Sequence, residues 1–193
     1  DLWFSYLVEI IKLSSFNIGY LLKQRGERYK GKVAFHIIKK GKPYNVSYDS
    51  LWKKVIEVGK GLSLFSNHSK KPTIGLLTHN QFNGVLVDLA CLSFGFKVVP
   101  IPLSSTPEHV SYIINHSEIS HLFVCGKIGK KIWEKVKNSH DIIAIDMSEI
   151  KTTSNYALNW NSFIEQLHKK TDGLRVLELN TDRKFDSKFL KEF

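Results

Sequence analysis

The residues from Phe94 to Glu118, FGFKVVPIPLSSTPEHVSYIINHSE, place imidazoles, carboxylates and hydroxyls close together. His109 and His116 could ligate a metal ion, and Ser104 or Ser105 could be a nucleophile if a base and an acid lay beside it. The two histidines are seven residues apart, so on a helix they share a face but are separated by roughly 10 Å along the axis. A single Zn²⁺ holds imidazole nitrogens about 2.0–2.1 Å away, so a shared metal site is not expected.

Structural roles account for the other polar residues of this stretch. Thr106 is predicted to cap a helix, Pro107 to occupy its first turn, and Glu108 to complement the positive end of the helix dipole. Glu118 and the two serines belong to no nucleophile motif such as GxSxG, so they are not expected to be catalytic. The predicted inward face of the helix consists of Val110, Ile113, Ile114 and Ser117, with His109 and His116 flanking it beside Tyr112.

A second candidate is CGKIGKK, Cys125 to Lys131, which follows a predicted strand and opens a basic helix. A phosphate-binding Walker loop requires GxxxxGK followed by Ser or Thr. Here Val124 stands in place of the first glycine and Lys131 in place of the hydroxyl residue. A solvated lysine turn is therefore the favoured interpretation.

The composition predicts an ordered intracellular protein. Of the 193 residues 42% are hydrophobic, which is enough to build a core. The net charge of +10 comes from 24 lysines but only 4 arginines, a balance that argues against base-reading nucleic-acid binding and allows a weak attraction to anionic ligands or membranes. Cys91 and Cys125 have no metal-ligand spacing and are predicted to be buried thiols in a cytoplasmic protein that could associate with a membrane.

Residues 1–16 form a separate lead segment with an amphipathic helix. In DLWFSYLVEIIKL the polar stripe consists of Asp1, Ser5, Glu9 and Lys12. The segment is too short and too charged to span a bilayer by itself. Core packing is favoured, and the alternatives are peripheral membrane association through residues 1–13 or the end of a longer upstream anchor.

The next region is predicted to hold a helix, a hairpin and a second helix. Ile18, Leu21 and Leu22 are expected on the inward face of the first helix, and VAFHII and YNVSY pair around the turn KKGKP. Ser47 is expected to cap the second helix, which runs to about Phe65.

From Thr73 onward the pattern alternates between short apolar strands and helices, which indicates βαβ crossovers. The fold class is therefore α/β, with a parallel-type sheet covered by helices on both faces. A polar linker, SEIKTTSNYA, precedes a short helix, NWNSFIEQLHKK. The predicted strands are TIGLLT, KVVPI, HLFV and IIAI, and the predicted helices run from Gln81 to Phe94, from Pro107 to Ser117, and around Lys130.

Three motifs in order resemble the adenylate-forming, AMP-binding superfamily. VSYDSLWKKV resembles its first core motif, TIGLLTHNQF a family strand that ends in asparagine, and LSFGFKVVPIPL its second core motif. IPLSSTPEHVSYIINHSEISHLFV and NWNSFIE are most similar to the long-chain fatty acyl-CoA synthetase branch. The resemblance covers residues 17–167 and leaves residues 168–193 as a tail of uncertain structure. The residues at matching motif positions are expected to have structural roles in helix caps, turns and packing. They are Ser47, Tyr48, Asn80, Gly95 and Pro100.

The resemblance implies that the parent protein is an AMP-forming long-chain fatty acid–CoA ligase that uses ATP, Mg²⁺ and coenzyme A. The family's phosphate loop, approximately YTSGTTGxPKG, is absent from these 193 residues, as are its later motifs. The segment therefore looks like the N-terminal subdomain, with no catalytic, cofactor-binding or metal residue of its own, and is expected to be inactive alone. Fatty acid, ATP and coenzyme A would bind through the rest of the enzyme. The alternatives are an amino-acid adenylation domain or a truncated, non-enzymatic membrane- or partner-binding module.

Overall fold

The computed structural model describes residues 2–13, 17–39, 41–66, 71–148, 156 and 158–169. Asp1, most of the predicted linker and the tail from residue 170 lie outside the described residues. The elements are α1 (Leu2–Leu13), α2 (Ile18–Arg28), β1 (Val33–Lys39), β2 (Lys42–Ser47), α3 (Tyr48–Leu64), β3 (Thr73–Leu77), α4 (Phe82–Phe94), β4 (Lys97–Pro100), α5 (Pro107–His116), β5 (His121–Val124), α6 (Gly126–Val136), a 3₁₀ turn (Lys137–Ser139), β6 (Ile143–Asp146), β7 (Leu158–Asn159) and α7 (Trp160–Lys169).

Five parallel strands form the central sheet in the order β4-β3-β5-β6-β7, and β1 and β2 form a separate antiparallel hairpin. Alternate residues of each strand serve two cores, because successive strand side chains point to opposite faces. Ile74 and Phe123 join a cluster with α3, α4 and α7. Leu77 and Leu122 join a second cluster with α5 and α6. The predicted α/β fold, with helices on both faces of a parallel sheet, is confirmed.

The inward face of α2 differs from the prediction. Ile18 and Leu21 are exposed, whereas Leu22 packs against the core and Gly19 and Gly26 are buried. A Cβ built on Gly26 would lie 3.2 Å from the Cβ of Trp52, so the absence of a side chain lets α2 approach α3 closely. The apolar periodicity therefore identified the helix but assigned the wrong face to two of its residues.

Ser47 occupies the N-cap of α3, as predicted, but its hydroxyl accepts no hydrogen bond from the helix backbone. Instead the hydroxyl donates to Asp49 Oδ1 at 2.7 Å, and the same oxygen accepts from the backbone N–H of Gly31 at 3.1 Å. These bonds, that of Ser47 first, lower the pKa of Asp49 to about 2. The serine thus acts through the carboxylate, which joins the start of α3 to the turn before β1.

The helix α1 is not packed into the core along its first six residues. All six side chains from Leu2 to Leu7 are exposed, including Trp3 at 77% and Phe4 at 70%. The favoured core-packing interpretation is therefore wrong for these residues. Among the described helices, none has the length and hydrophobicity needed to cross a membrane.

Two helix boundaries follow from single residues, as predicted. Gly95 ends α4 in the left-handed conformation, with φ 70° and ψ 35°, which favours glycine. Thr106 caps α5, where its hydroxyl accepts a hydrogen bond from the backbone N–H of His109 at 3.3 Å. Pro107 and Glu108 occupy the first turn of α5.

We expect Thr106→Ala to lower the free energy of unfolding by about 1 kcal/mol, because a backbone N–H of the first turn loses its acceptor. Ser105→Ala is the matched control, since this neighbouring hydroxyl does not cap the helix, and it should change stability by less than roughly 0.5 kcal/mol. Urea denaturation of both variants measures the difference. Equal midpoints for the two variants would show that the cap contributes nothing.

Candidate functional site

The sheet order creates a crevice at the carboxyl ends of its central strands. The chain leaves β3 to form β4 on one side and then returns to form β5 on the other side of β3. In open parallel α/β sheets, ligands bind outside the carboxyl ends of the strands where the winding reverses. Residues 78–81, which follow β3, and residues 125–126, which follow β5, form this carboxyl-edge crevice.

Gln81 connects the segments that follow three strands. Its amide oxygen accepts a hydrogen bond from the thiol of Cys125 at 3.2 Å, and its Nε2 donates to Thr78 Oγ1 at 3.1 Å. The same nitrogen lies 3.9 Å from Met147 Sδ, at the end of β6. The side chains of Thr78, Gln81 and Cys125 thus bond to one another and connect the loops that carry them.

Gly126 has φ 77° and begins α6 directly beneath His79. A Cβ built on Gly126 would lie 2.8 Å from Nδ1 of His79, so a side chain at this position would collide with the imidazole. Because the conformation and the space both favour glycine, Gly126 allows the loop after β3 to lie over the start of α6.

Two open cavities flank the crevice. One has a volume of 450 Å³ and is lined at the ends of β3 and β4 by residues that include His79, Asn80, Asp88 and Pro100. The other has a volume of 590 Å³ and lies between the hairpin, α3, α4 and α7, with Ile37, Phe82, Met147 and Trp160 in its wall. Two of the predicted motif positions, Asn80 and Pro100, are therefore brought together at the carboxyl edge.

A buried ion pair supports the end of β6. Lys130 Nζ donates to Asp146 Oδ2 at 2.7 Å and to Ser148 Oγ at 3.0 Å, and Asp146 is 1% exposed. Ser148 donates to Asp146 Oδ1 through its backbone N–H at 2.9 Å and through its hydroxyl at 2.7 Å. The predicted solvated lysine turn is therefore wrong for Lys130, which lies in a helix and is held by a carboxylate 16 residues further along the chain.

The ionisable side chains in and beside the crevice have protonation states that suit packing and binding more than nucleophilic chemistry. Burial raises the pKa of the Cys125 thiol, which keeps the sulfur protonated as a hydrogen-bond donor to Gln81. Burial also raises the pKa of Asp88 in the adjacent cavity wall. Within the described segments there is no group of three or more His, Cys, Asp or Glu side chains placed to hold a metal ion.

The two histidines singled out in the sequence lie on the exposed face of α5, with Tyr112 between them. The ring centroids of His109 and Tyr112 are 6.5 Å apart, and those of Tyr112 and His116 are 5.3 Å apart. Val110 and Ile114 are buried on the opposite side. The two imidazoles are thus exposed on either side of Tyr112, away from the buried face.

The hydroxyls of Ser104 and Ser105 lie in the turn before α5, and Glu118 lies in the turn after it. These residues are at opposite ends of a ten-residue helix, so the structure does not bring them together.

Sequence reasoning missed Gln81 and Asp146, whose partners are distant in sequence. A usable signal for Asp146 was its position at the end of an apolar strand.

A different histidine is electrostatically unusual. His121 begins β5, is 6% exposed, and its ring stacks on Phe65 with centroids 4.2 Å apart. Burial lowers its pKa to about 4. The folded chain therefore keeps this imidazole neutral at pH values where an unfolded chain protonates it.

We expect this difference to make the protein less stable as the pH falls from about 6.5 to 4, because the unfolded chain then binds a proton that the folded chain rejects. When the pH falls from 7 to 4.5, the unfolding free energy of the wild type should decrease by about 2–3 kcal/mol more than that of His121→Phe. Urea denaturation at the two pH values tests this, with exposed His116→Gln as the control. If His121→Phe and the wild type lost stability in parallel, His121 would not be the responsible group.

Comparison with known proteins adds the family context. A model of the AMP-binding enzyme family matches residues 22–176. No curated protein matches the sequence significantly.

Several solved structures share the fold at low identity. Coronafacic acid ligase from Pectobacterium brasiliense has a TM-score of 0.68 and 19% identity, over 83% of this chain and 32% of that one. A fatty acyl CoA synthetase from Mycobacterium tuberculosis has a TM-score of 0.62 and 16% identity, over 84% and 30%. A benzoate CoA ligase from Burkholderia xenovorans has a TM-score of 0.61 and 20% identity, over 80% and 28%. The chain thus spans about a third of the length of these proteins.

Proposed function

Because the chain belongs to the AMP-binding enzyme family, as the sequence resemblance predicted, we propose that it is the N-terminal part of an ATP-dependent acid–coenzyme A ligase. In such a ligase a carboxylate attacks the α-phosphate of ATP, giving an acyl-adenylate and pyrophosphate. The thiol of coenzyme A then displaces AMP. The observation that carries the proposal is the family match over residues 22–176, joined to a fold shared with three acid ligases.

The substrate that we propose is a long-chain fatty acid. Support comes from the sequence similarity of residues 101–124 and 159–165 to the long-chain acyl-CoA synthetase branch, and from a fatty acyl CoA synthetase among the proteins of the same fold. An amino acid is the alternative carboxylate, as in adenylation domains. Both substrates predict ATP-dependent release of pyrophosphate.

Among the described residues no group of three or more His, Cys, Asp or Glu side chains is placed to hold the Mg²⁺ of a magnesium nucleotide. Mg²⁺ requires oxygen ligands, often one or two carboxylates together with substrate phosphates. At the carboxyl edge, both oxygens of Asp146 are hydrogen-bonded by Lys130 and Ser148, and the amide oxygen of Gln81 accepts from Cys125. We therefore propose that these 193 residues contribute no catalytic, cofactor or metal ligand, and that ATP, Mg²⁺ and coenzyme A bind elsewhere in the parent protein.

The test is a ligation assay on the parent protein with palmitate, ATP, Mg²⁺ and coenzyme A, in which AMP and palmitoyl-CoA are quantified. We expect both products in equal amounts, and none from residues 1–193 alone. Pyrophosphate exchange with a panel of amino acids and fatty acids separates the two substrate classes. Stimulation by an amino acid alone would overturn the fatty-acid assignment, and no exchange with either class would overturn the ligase proposal.

We also propose that residues 1–13 bind peripherally to a membrane. Leu2, Trp3, Phe4, Tyr6 and Leu7 are exposed in α1, and amphipathic helices of this kind bury apolar and aromatic side chains at the lipid–water interface. Deletion of residues 1–13 should abolish co-sedimentation of the chain with phospholipid vesicles. Unchanged co-sedimentation would remove this role from α1.

A further inference from the structure

We propose that Arg25, Arg28 and Lys32 surround Tyr29 to form a binding site for the headgroups of anionic phospholipids. This inference rests on the proposed peripheral membrane binding and names the lipid class. The site shares no residue with the carboxyl-edge crevice, and it does not depend on ligase activity.

The three cations converge on one aromatic ring at the end of α2. The guanidinium carbons of Arg25 and Arg28 lie 5.1 Å and 5.7 Å from the centroid of the Tyr29 ring, and Lys32 Nζ lies 5.3 Å from it. Arg25 also donates from Nη1 to the hydroxyl of Tyr29 at 2.8 Å. Tyr29 is held in turn by Tyr48, whose ring centroid is 5.7 Å away. The ring thus acts as a fixed centre about which three positive charges are arranged.

None of these three cations is ion-paired within the parts of the chain that the structure describes. The ion pairs found there join Lys53 to Asp49, Lys130 to Asp146 and Lys137 to Glu134. Like charges gathered near one point repel each other, and an anion placed among them is attracted by all three. Arg28 and Lys32 are exposed, so a bulky phosphate-bearing surface can reach the cluster.

The surrounding sequence strengthens the charge complementarity. Residues 17–46 contain eight Lys and Arg side chains and a single carboxylate, that of Glu27, so this stretch supplies +7 of the net +10. Both arginines of the described residues belong to the cluster. Arginine forms bidentate hydrogen bonds to phosphate, which suits a phospholipid headgroup better than lysine alone would. Polybasic segments next to an interfacial helix are typical of binding to anionic lipids.

The exposed apolar surface is concentrated in the same part of the chain. Beyond residue 44, the large apolar side chains exposed in the described structure are only Leu92, Tyr112, Ile128 and Ile143. Before it lie those of α1, several of α2, and Ile38 at 80% exposure near the hairpin turn. A bilayer accommodates both apolar insertion and phosphate contact at one surface, whereas a soluble phosphate or a nucleic acid would leave the apolar side chains unused.

An 11-residue helix such as α2 is about 16 Å long, so the cation cluster at its end lies within roughly that distance of the exposed Ile18 at its start. Each basic residue near an anionic membrane surface contributes about 1 kcal/mol, or roughly fivefold in affinity.

The experiment is vesicle co-sedimentation of the 193-residue chain with phosphatidylcholine alone and with phosphatidylcholine containing phosphatidylserine. We expect binding to be at least tenfold tighter with phosphatidylserine and to weaken with added salt. The triple variant Arg25→Gln/Arg28→Gln/Lys32→Gln should lose roughly 100-fold in affinity for the anionic vesicles. The matched control is Lys127→Gln/Lys131→Gln/Lys135→Gln, which removes three exposed cations from α6 and should lose less than roughly threefold.

Circular dichroism establishes that both triple variants are folded. Equal losses in the two variants would show a nonspecific charge effect and overturn the assigned site, as would equal binding to neutral and anionic vesicles. Failure to bind any vesicle would instead overturn the underlying proposal of peripheral membrane association. Competition by millimolar inorganic phosphate or coenzyme A, together with weak vesicle binding, would reassign the cluster to a soluble phosphate ligand.

Discussion

Phe163→Ala should destabilise the protein by about 3–5 kcal/mol, the largest effect that we expect from a single substitution. Phe163 is 2% exposed and joins α7 to the sheet and to α3. Its ring packs edge-on against Phe123, with centroids 5.5 Å apart, and stacks on Phe65 at 5.7 Å. Truncation would leave a cavity among three elements that meet at this side chain, and neighbouring backbone cannot readily collapse into it.

The same ring explains a glycine in the last turn of α3. A Cβ built on Gly61 would lie 2.4 Å from Cζ of Phe163, so α3 passes directly against the edge of the ring. Chemical denaturation measures the loss for Phe163→Ala, with Tyr112→Ala as control because Tyr112 is 60% exposed. The control should cost less than roughly 1 kcal/mol. A loss for Phe163→Ala no larger than that of the control would mean that α7 does not contribute to the cooperative core.

Lys130→Met is expected to cost about 3 kcal/mol at pH 7, because the buried carboxylate of Asp146 loses the Lys130 ammonium that lies 2.7 Å away. The double variant Lys130→Met/Asp146→Asn should recover most of the loss at pH 7, since a neutral amide needs no counterion.

Lys131→Met provides the matched control for this pair. Lys131 is the neighbouring exposed lysine of α6, and its substitution should change the unfolding free energy by less than roughly 0.5 kcal/mol. The wild type, Lys130→Met, Asp146→Asn and the double variant form a double-mutant cycle, and urea denaturation at pH 7 measures it together with the Lys131→Met control. Additive effects of the Lys130 and Asp146 substitutions would contradict a direct coupling between the two side chains.

The alternation of strands and helices could be predicted from sequence because the central strands β3 and β5 are buried at every residue and therefore appear as short apolar runs. The prediction that His109 and His116 lie beside Tyr112 followed from helical geometry alone. The structure places the two histidines on either side of that ring. The superfamily followed from the order of three motifs, whereas the long-chain substrate stays a prediction.

The features that were missed depend on partners far apart in the chain or on small residues. Gly26 supplies close packing without any apolar side chain, so a search for apolar periodicity favoured Ile18 and Leu21 instead. The role of Lys130 depends on Asp146, which only the pairing of β5 with β6 brings close. The strand β7 has two residues and forms through its pairing with β6, so local sequence carries almost no signal for it.

The strand order also has a consequence for synthesis of the chain on the ribosome. After β3 and β4 have paired, β5, β6 and β7 each join the same free edge in the order in which they are translated. None of the strands that the structure describes has to insert between two that have already paired. At about 5–20 residues per second, the 82 residues from the end of β3 to the end of β7 emerge over roughly 4–16 s. The sheet can therefore grow outward from β3 strand by strand while translation continues, and the strands already paired do not have to separate.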